Sequence, residues 1–125
     1  MANQGVVHIR GTQRATASEN IAVNLLVEPH TVAGQVSLCP ANGCAVAVAY
    51  EAVASGAAGD FQIITKGDVV YSLSSAAIAI GDYLMPAASG QIAPESVVTT
   101  KTEFTCGVAL SATSGAATGV YWMAI

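Results

Sequence analysis

Apolar side chains recur along this chain with a period of two. In residues 45–50 (Ala-Val-Ala-Val-Ala-Tyr) the larger side chains of Val46, Val48 and Tyr50 fall on one face of an extended strand, and the alanines fall on the other. Both faces are apolar, which predicts a strand that is central in its sheet or covered by a partner. Alanine also favours helix. However, Asn42-Gly43 before this run and Ser55-Gly56 after it leave room for only about three helical turns, and valine prefers a pleated surface. The same reading predicts strands over 6–10, 21–27, 35–38, 61–65, 69–73, 83–85, 104–110 and 120–124. The gaps carry turn residues: Pro29, Ala33-Gly34, Pro40, Asn42-Gly43, Lys66-Gly67, Pro86, Ser89-Gly90, Pro94 and Ser114-Gly115. No segment shows a 3.6-residue stripe. The fold class expected is all-β: a small β-sandwich or barrel-like domain of short antiparallel strands with an extended N-terminal arm.

Each aspartate follows a glycine and precedes an apolar residue, as in Gly59-Asp60-Phe61, Gly67-Asp68-Val69 and Gly81-Asp82-Tyr83. Glycine supplies an unusual backbone angle and aspartate bonds its own turn, so these carboxylates read as turn punctuation rather than as a calcium or catalytic cluster. Short motifs also echo along the chain. Ala33-Gly34-Gln35-Val36 resembles Ser89-Gly90-Gln91-Ile92, Cys44-Ala45-Val46-Ala47 resembles Cys106-Gly107-Val108-Ala109, and Ser55-Gly56-Ala57-Ala58 matches Ser114-Gly115-Ala116-Ala117. Either the two halves are related β units or an Ala/Gly-rich chain repeats itself by coincidence. The organisation expected is an arm and first strands in 1–29, then one β-rich domain in 30–125.

Composition changes the picture of the surface. Alanine contributes 24 residues and valine 15, against six leucines and two phenylalanines. Charged residues make up 10 % of the 125, where an ordinary soluble domain has roughly 25 %. A surface so poor in charge exposes apolar patches, so copies of the chain or another protein are expected to cover much of it. The longest apolar run, 44–50, is too short for a membrane helix of about 20 residues. Met1-Ala2-Asn3-Gln4-Gly5 shows no secretory leader. A net charge of −4 and a pI near 4.8 argue against nucleic acid as a partner. Arg10 and Arg14 stand against Glu19 in the first 20 residues, whereas Lys66 and Lys101 stand against seven acidic residues in the remainder, giving a slightly basic arm on an acidic body.

Candidate chemistry is sparse. Cys39, Cys44 and Cys106 are odd in number, which fits a reducing compartment. With His30 they could be read as a zinc site, but structural zinc sites show two close ligand pairs and only one is present. Buried thiols acting as small apolar side chains fit better, and no metal or cofactor is expected. Histidine occurs only at His8 and His30, and no nucleophile, base and orienting group form a favoured trio. Catalysis is therefore not expected; a small hydrolase or metal protein would have to use His30 with Cys39 and Cys44. Tyr121-Trp122 is the densest aromatic cluster and has no Lys or Arg beside it for nucleic acid. It reads as core plus a hydrogen-bonded rim, or as an aromatic sugar site joined by Tyr83.

The run Ile80-Gly81-Asp82-Tyr83-Leu84-Met85, then Gly90-Gln91-Ile92, Cys106-Gly107-Val108-Ala109-Leu110, Gly115 and Val120-Tyr121-Trp122 resembles the small capsid decoration (cement) proteins of tailed bacteriophages. Ala33-Gly34-Gln35-Val36 and residues 55–60 match the earlier half of that pattern, and residues 1–29 depart from it. The resemblance implies a non-enzymatic β-rich virion protein, made in the host cytoplasm. It implies docking on the outer capsid surface, against the major capsid protein and commonly as trimers, to clamp adjacent capsomers. Residues assigned to capsid or inter-subunit contact are Arg10, Arg14, Tyr121 and Trp122, with the arm adding strand pairing or salt bridges to a neighbour. The rival reading is a carbohydrate- or receptor-binding module on the virion surface.

Overall fold

The computed structural model describes residues 12–125. The strand predicted over 6–10, with His8 and Arg10, lies outside the described residues. The fold is all-β. Its strands are β1 (Thr12–Ala17), β2 (Leu26–Pro29), β3 (Gln35–Leu38), β4 (Ala47–Ala49), β5 (Ala58–Ile63), β6 (Val69–Leu73), β7 (Tyr83–Pro86), β8 (Ile92–Pro94), β9 (Gly107–Ala109) and β10 (Gly119–Ala124), with one 3₁₀ turn at Ala88–Gly90.

Strands β1 to β5 close into a barrel in the order β1-β3-β2-β4-β5. β1 runs antiparallel to β5, from Thr12 opposite Gln62 to Thr16 opposite Ala58, and parallel to β3 through Thr16–Gln35 and Ala17–Val36. Closure leaves no unpaired edge for another chain to extend. Strands β6 to β10 form a second sheet in the order β6-β10-β9-β7-β8. Its pairings repeat those of the barrel: β6–β10 as β1–β5, β7–β8 as β2–β3, β7–β9 as β2–β4, and β9–β10 as β4–β5. Where the β1–β3 ladder closes the barrel, the second sheet has a single parallel bridge, Ser74–Ile92. The shared plan sets Phe61 opposite Ala49 and Trp122 opposite Ala109, one large aromatic facing one small residue in each unit.

Two cores result. Ala17, Ile21, Val27, Ala47, Ala49, Val53 and Phe61 fill the barrel. The second core joins Val70, Ile78, Leu84, Ile92, Val120 and Trp122 to Leu26, Cys39 and Val48 from the barrel wall. β4 is therefore buried on both sides, Ala47 and Ala49 inside the barrel and Val48 against the second sheet, as its two apolar faces required. Trp122 is wholly buried; its Nε1–H donates to Ser72 Oγ at 3.0 Å, which satisfies the indole's polar atom without water. Its ring lies over Gly107, where any Cβ would collide with it.

Strand interiors follow the sequence pattern, and their ends follow local hydrogen bonding. The stretches 35–38 and 69–73 coincide with β3 and β6. The stretch 21–27 splits, because Asn24 turns the chain at φ 69; Ile21 keeps only a lone bridge to Val53, and β2 starts at Leu26. The stretch 104–110 shortens to β9 because Thr102 and Thr105 close a turn. Thr102 N–H donates to Thr105 Oγ1 at 2.8 Å, and Thr105 N–H donates to the Thr102 carbonyl at 3.2 Å. β1 and β8 escaped the pattern. β1 reads Thr-Gln-Arg-Ala-Thr-Ala, too polar to announce a core strand, yet both neighbours needed to pair it are supplied by barrel closure. The described part of the expected arm is thus a stave of the barrel. Gly67 and Gly81 (φ 91 and 90) occupy the third position of turns in which the Asp68 and Asp82 carboxylates accept the Thr65 and Ala79 N–H groups, each at 2.9 Å. Asp60 differs, lying within β5.

Removing either aromatic plug leaves a void the small neighbours cannot fill. Phe61→Ala and Trp122→Ala should each cost about 3–5 kcal/mol in urea unfolding. Trp122→Phe should lose an additional ~1–3 kcal/mol beyond its volume change, because it strands the buried Ser72 hydroxyl; Trp122→Phe, Ser72→Ala should recover part of that loss.

Candidate functional site

Alternation along β6, β7 and β10 sends Val70, Ser72, Leu84, Val120 and Trp122 inward. It leaves Val69, Tyr71, Tyr83, Met85, Tyr121 and Met123 on the outward face. Register aligns these side chains in rows. One row, Val69–Met123–Val108–Tyr83, crosses β6, β10, β9 and β7. The next pairs Tyr71 with Tyr121 and continues to Leu110, whose N–H donates to the Tyr121 carbonyl at 2.8 Å. The two tyrosine rings lie 4.7 Å apart at 57°, a tilted contact worth about 0.5–1.5 kcal/mol. Any Cβ at Gly119 would collide with the Tyr71 ring, so glycine there lets the ring lie flat across the strand. Tyr121 is 53 % exposed and Val69 55 %. The outward side chains of β6 to β10 carry no charge.

The barrel fills the same pairing positions differently. Thr12, Arg14, Glu28, Asp60 and Gln62 stand where Val69, Tyr71, Met85, Tyr121 and Met123 stand in the second sheet. The Arg14–Asp60 ion pair, at 3.3 Å, takes the place of the Tyr71–Tyr121 contact. Both partners are well exposed, so the pair adds at most about 1 kcal/mol. Leu26 and Val48, which match Tyr83 and Val108, are covered by the second sheet.

Of the residues expected to make contacts, Tyr121 lies on the uncharged face. Trp122 does not: adjacent residues of a strand point to opposite faces, and the indole enters the core with no exposed surface. Arg14 stands on the barrel, and its ion-pair partner is Asp60 of the same chain. Arg10 lies outside the described residues. Tyr83 ends the first row, half-buried. The sequence reading passed over Val69, Tyr71, Leu110 and Met123. Their signal was period-two alternation in 69–73, 104–110 and 120–124, which does not say which strand lies beside which.

The cysteines do not form a metal cluster with His30; among the described residues no group of three His, Cys, Asp or Glu is placed to hold an ion. Burial pushes the Cys39 thiol up to about 12, helped by the negative Glu28, and burial likewise pushes Cys106 up to about 12. Both stay protonated at neutral pH, the form that neither binds metal nor attacks. Cys44 is exposed. Buried Glu95 is a loop anchor, its Oε2 accepting from Thr102 Oγ1 at 2.9 Å and Thr105 Oγ1 at 2.6 Å. An apolar hollow of about 260 Å³ at the barrel end, lined by Ala15, Val36, Phe61 and Ile63 among others, has no titratable side chain in its wall.

No family model matches the chain, and no curated protein matches it. Among solved structures it is similar to the N base of the head fiber protein gp8.5 of bacteriophage phi29, with a TM-score of 0.78, 16 % identity, and coverage of 91 % of this chain and 92 % of that one. At that identity the likeness establishes a shared fold.

The thiols provide a check on this geometry. A disulfide exchange reagent at neutral pH should modify Cys44 rapidly and reach Cys39 and Cys106 only on unfolding. The folded-state thiols titrate above the ordinary 9.0, so the unfolded chain releases protons first. Stability is therefore full below pH 9 and is lost as pH rises from there toward 12. Urea midpoints across that window should fall, and a Cys39→Ala, Cys106→Ala chain should show a shallower decline.

Proposed function

We propose that the protein is a structural component of a phage virion that binds the outside of the capsid and braces adjacent capsomers, as a decoration protein does. The observation that carries this reading is the fold shared with a phage head fiber base along nine-tenths of both chains. The uncharged outward face of the second sheet supports it, because a chain with 10 % charged residues gains most when such a face is covered. Its partners on this reading are the major capsid protein and further copies of itself, three being the arrangement favoured. Several weak contacts linked in one assembly then act as one strong attachment, since each later contact forms at high effective concentration. The work is done by buried area rather than by chemistry, roughly 25 cal/mol per Å² before association costs are subtracted.

A sugar-binding module is the other use for exposed tyrosines. Sugar sites also need polar side chains aimed at hydroxyl groups, and the rows around Tyr71 and Tyr121 are apolar. The purified protein, mixed with undecorated expanded capsids, should co-sediment with them at saturable stoichiometry and raise the temperature at which they rupture. Absence of both effects, together with clear hits on a glycan array, would replace this reading with the sugar-binding one.

A further inference from the structure

We infer that the segment ahead of β1 closes the open end of the barrel, with Ile9 seated in the apolar hollow beside Phe61. The hollow, about 260 Å³, is lined by Ala15, Val36, Val46, Phe61 and Ile63, with Gln13 at its edge. Its walls offer water almost no polar partner, whereas an ordered water needs roughly 2–4. The molecule contains its own comparison. Gln13 opposite Phe61 in the barrel corresponds to Val70 opposite Trp122 in the second sheet. There the larger indole fills the interior together with Leu26, Cys39 and Val48, brought in from the barrel wall. The barrel has the smaller phenyl ring, and its described core draws only on residues 15–61, its own strands and loops. The second unit receives apolar side chains from outside its own strands, and the barrel still needs a donor.

Residues 1–11 have the position and the pattern for that role. The described chain begins at Thr12, opposite Gln62, at the same end of the barrel as Ile63 and the hollow. β1 turns Gln13, Ala15 and Ala17 toward the barrel interior, and Thr12, Arg14 and Thr16 alternate with them on the other face. Read backwards, the alternation continues unbroken. Gly11, Ile9 and Val7 share the phase of the interior face, and Arg10 and His8 share the phase of the polar one. A straight extension leaves this pattern unused. β5 ends at Ile63, and Ile64 already packs on the second core, so β1 has no antiparallel partner beyond Thr12. At about 3.4 Å per residue, Ile9 in a straight strand would stand about 14 Å beyond Gln13, clear of the hollow. Gly11 has no Cβ and admits the backbone angles of a reversal, which carries Ile9 back across the barrel mouth. Apolar Ile9 and Val7 then meet apolar walls, and His8 and Arg10 keep their water.

Nothing in this depends on the capsid reading, and the test uses the full chain alone. In a chain carrying Cys44→Ser, a cysteine placed by Ile9→Cys should react with a disulfide exchange reagent at least about tenfold more slowly when folded than in urea. Gln4→Cys is the control and should react equally fast in both. Urea midpoints give a second reading: Ile9→Ser should lower the midpoint, whereas His8→Ser, out of phase, should leave it unchanged. Filling the hollow from its own wall with Ala15→Val should shrink the effect of Ile9→Ser, because residues that share one space are coupled. Labelling of position 9 as fast in the folded chain as in urea overturns the inference, as does an Ile9→Ser chain with the wild-type midpoint. Protection of position 9 that appears only at high protein concentration, or only on capsids, overturns it too and gives the hollow to another chain. A wild-type chain that binds benzene in the hollow, with binding abolished by Ala15→Val, likewise overturns it and makes the hollow a site for small apolar molecules. Protection of position 9 that persists on dilution upholds it, whether or not the protein binds capsids.

Discussion

The whole arrangement depends on β4 having no side that faces water. Ala47 and Ala49 are small because they sit inside a five-stranded barrel whose interior is narrow and already plugged by Phe61. Val48 points the other way, and with Leu26 and Cys39 it would lie bare on the barrel wall if the second sheet were absent. Burying a side chain such as Val or Leu stabilises by about 1.5–3 kcal/mol. The barrel wall therefore has its strongest drive to associate where the second sheet meets it. The second sheet answers that need by staying less closed. One bridge, Ser74–Ile92, replaces a ladder, and its interior receives the barrel's outward side chains as part of its own core. The two units share a core and stabilise each other.

From that coupling comes the division of surfaces. The barrel's outward positions that escape cover carry Thr12, Arg14, Glu28, Asp60 and Gln62, the residue types water prefers. The matching positions of the second sheet carry Val69, Tyr71, Met85, Tyr121 and Met123. The hydrogen-bond plan is indifferent to this choice, because outward side chains do not enter the ladder. The face is therefore free to vary in chemistry, and a single plan supplies both a polar wall and an uncharged one. It also gives a physical place to the scarcity of charge in the chain.

The polar features that look chemical are structural in detail. Asp68 and Asp82 cap turns, Glu95 ties a loop through two threonine hydroxyls, and Ser72 satisfies an indole. The two most buried thiols are held protonated by desolvation. Asp68, Asp82, Glu95 and Ser72 each have a hydrogen-bond partner in the same chain, which is what a stable scaffold requires.

Some of this was set by residue order alone. Period-two alternation requires side chains i and i+1 on opposite faces, so the stretch 45–50 read as a strand with two apolar sides, of which β4 keeps Ala47–Ala49, and 69–73 and 120–124 show one buried row each. Of the three Gly-Asp pairs read as turns, those at 67–68 and 81–82 do turn, with Gly67 and Gly81 at positive φ, whereas Gly59-Asp60 is drawn into β5 by its pairing with β1. Which of Tyr121 and Trp122 would face inward was a matter of phase, and alternation fixes phase only relative to a neighbour. The core settled it through Gly107 and Ser72, which accept an indole. β1 was hidden because a polar hexapeptide becomes a strand only where closure brings β3 and β5 to its two edges. The uncharged outward face was hidden for the same reason. Tyr71 and Tyr121 are distant in sequence and become neighbours only through the pairing of β6 with β10, and non-local pairing belongs to the fold as a whole.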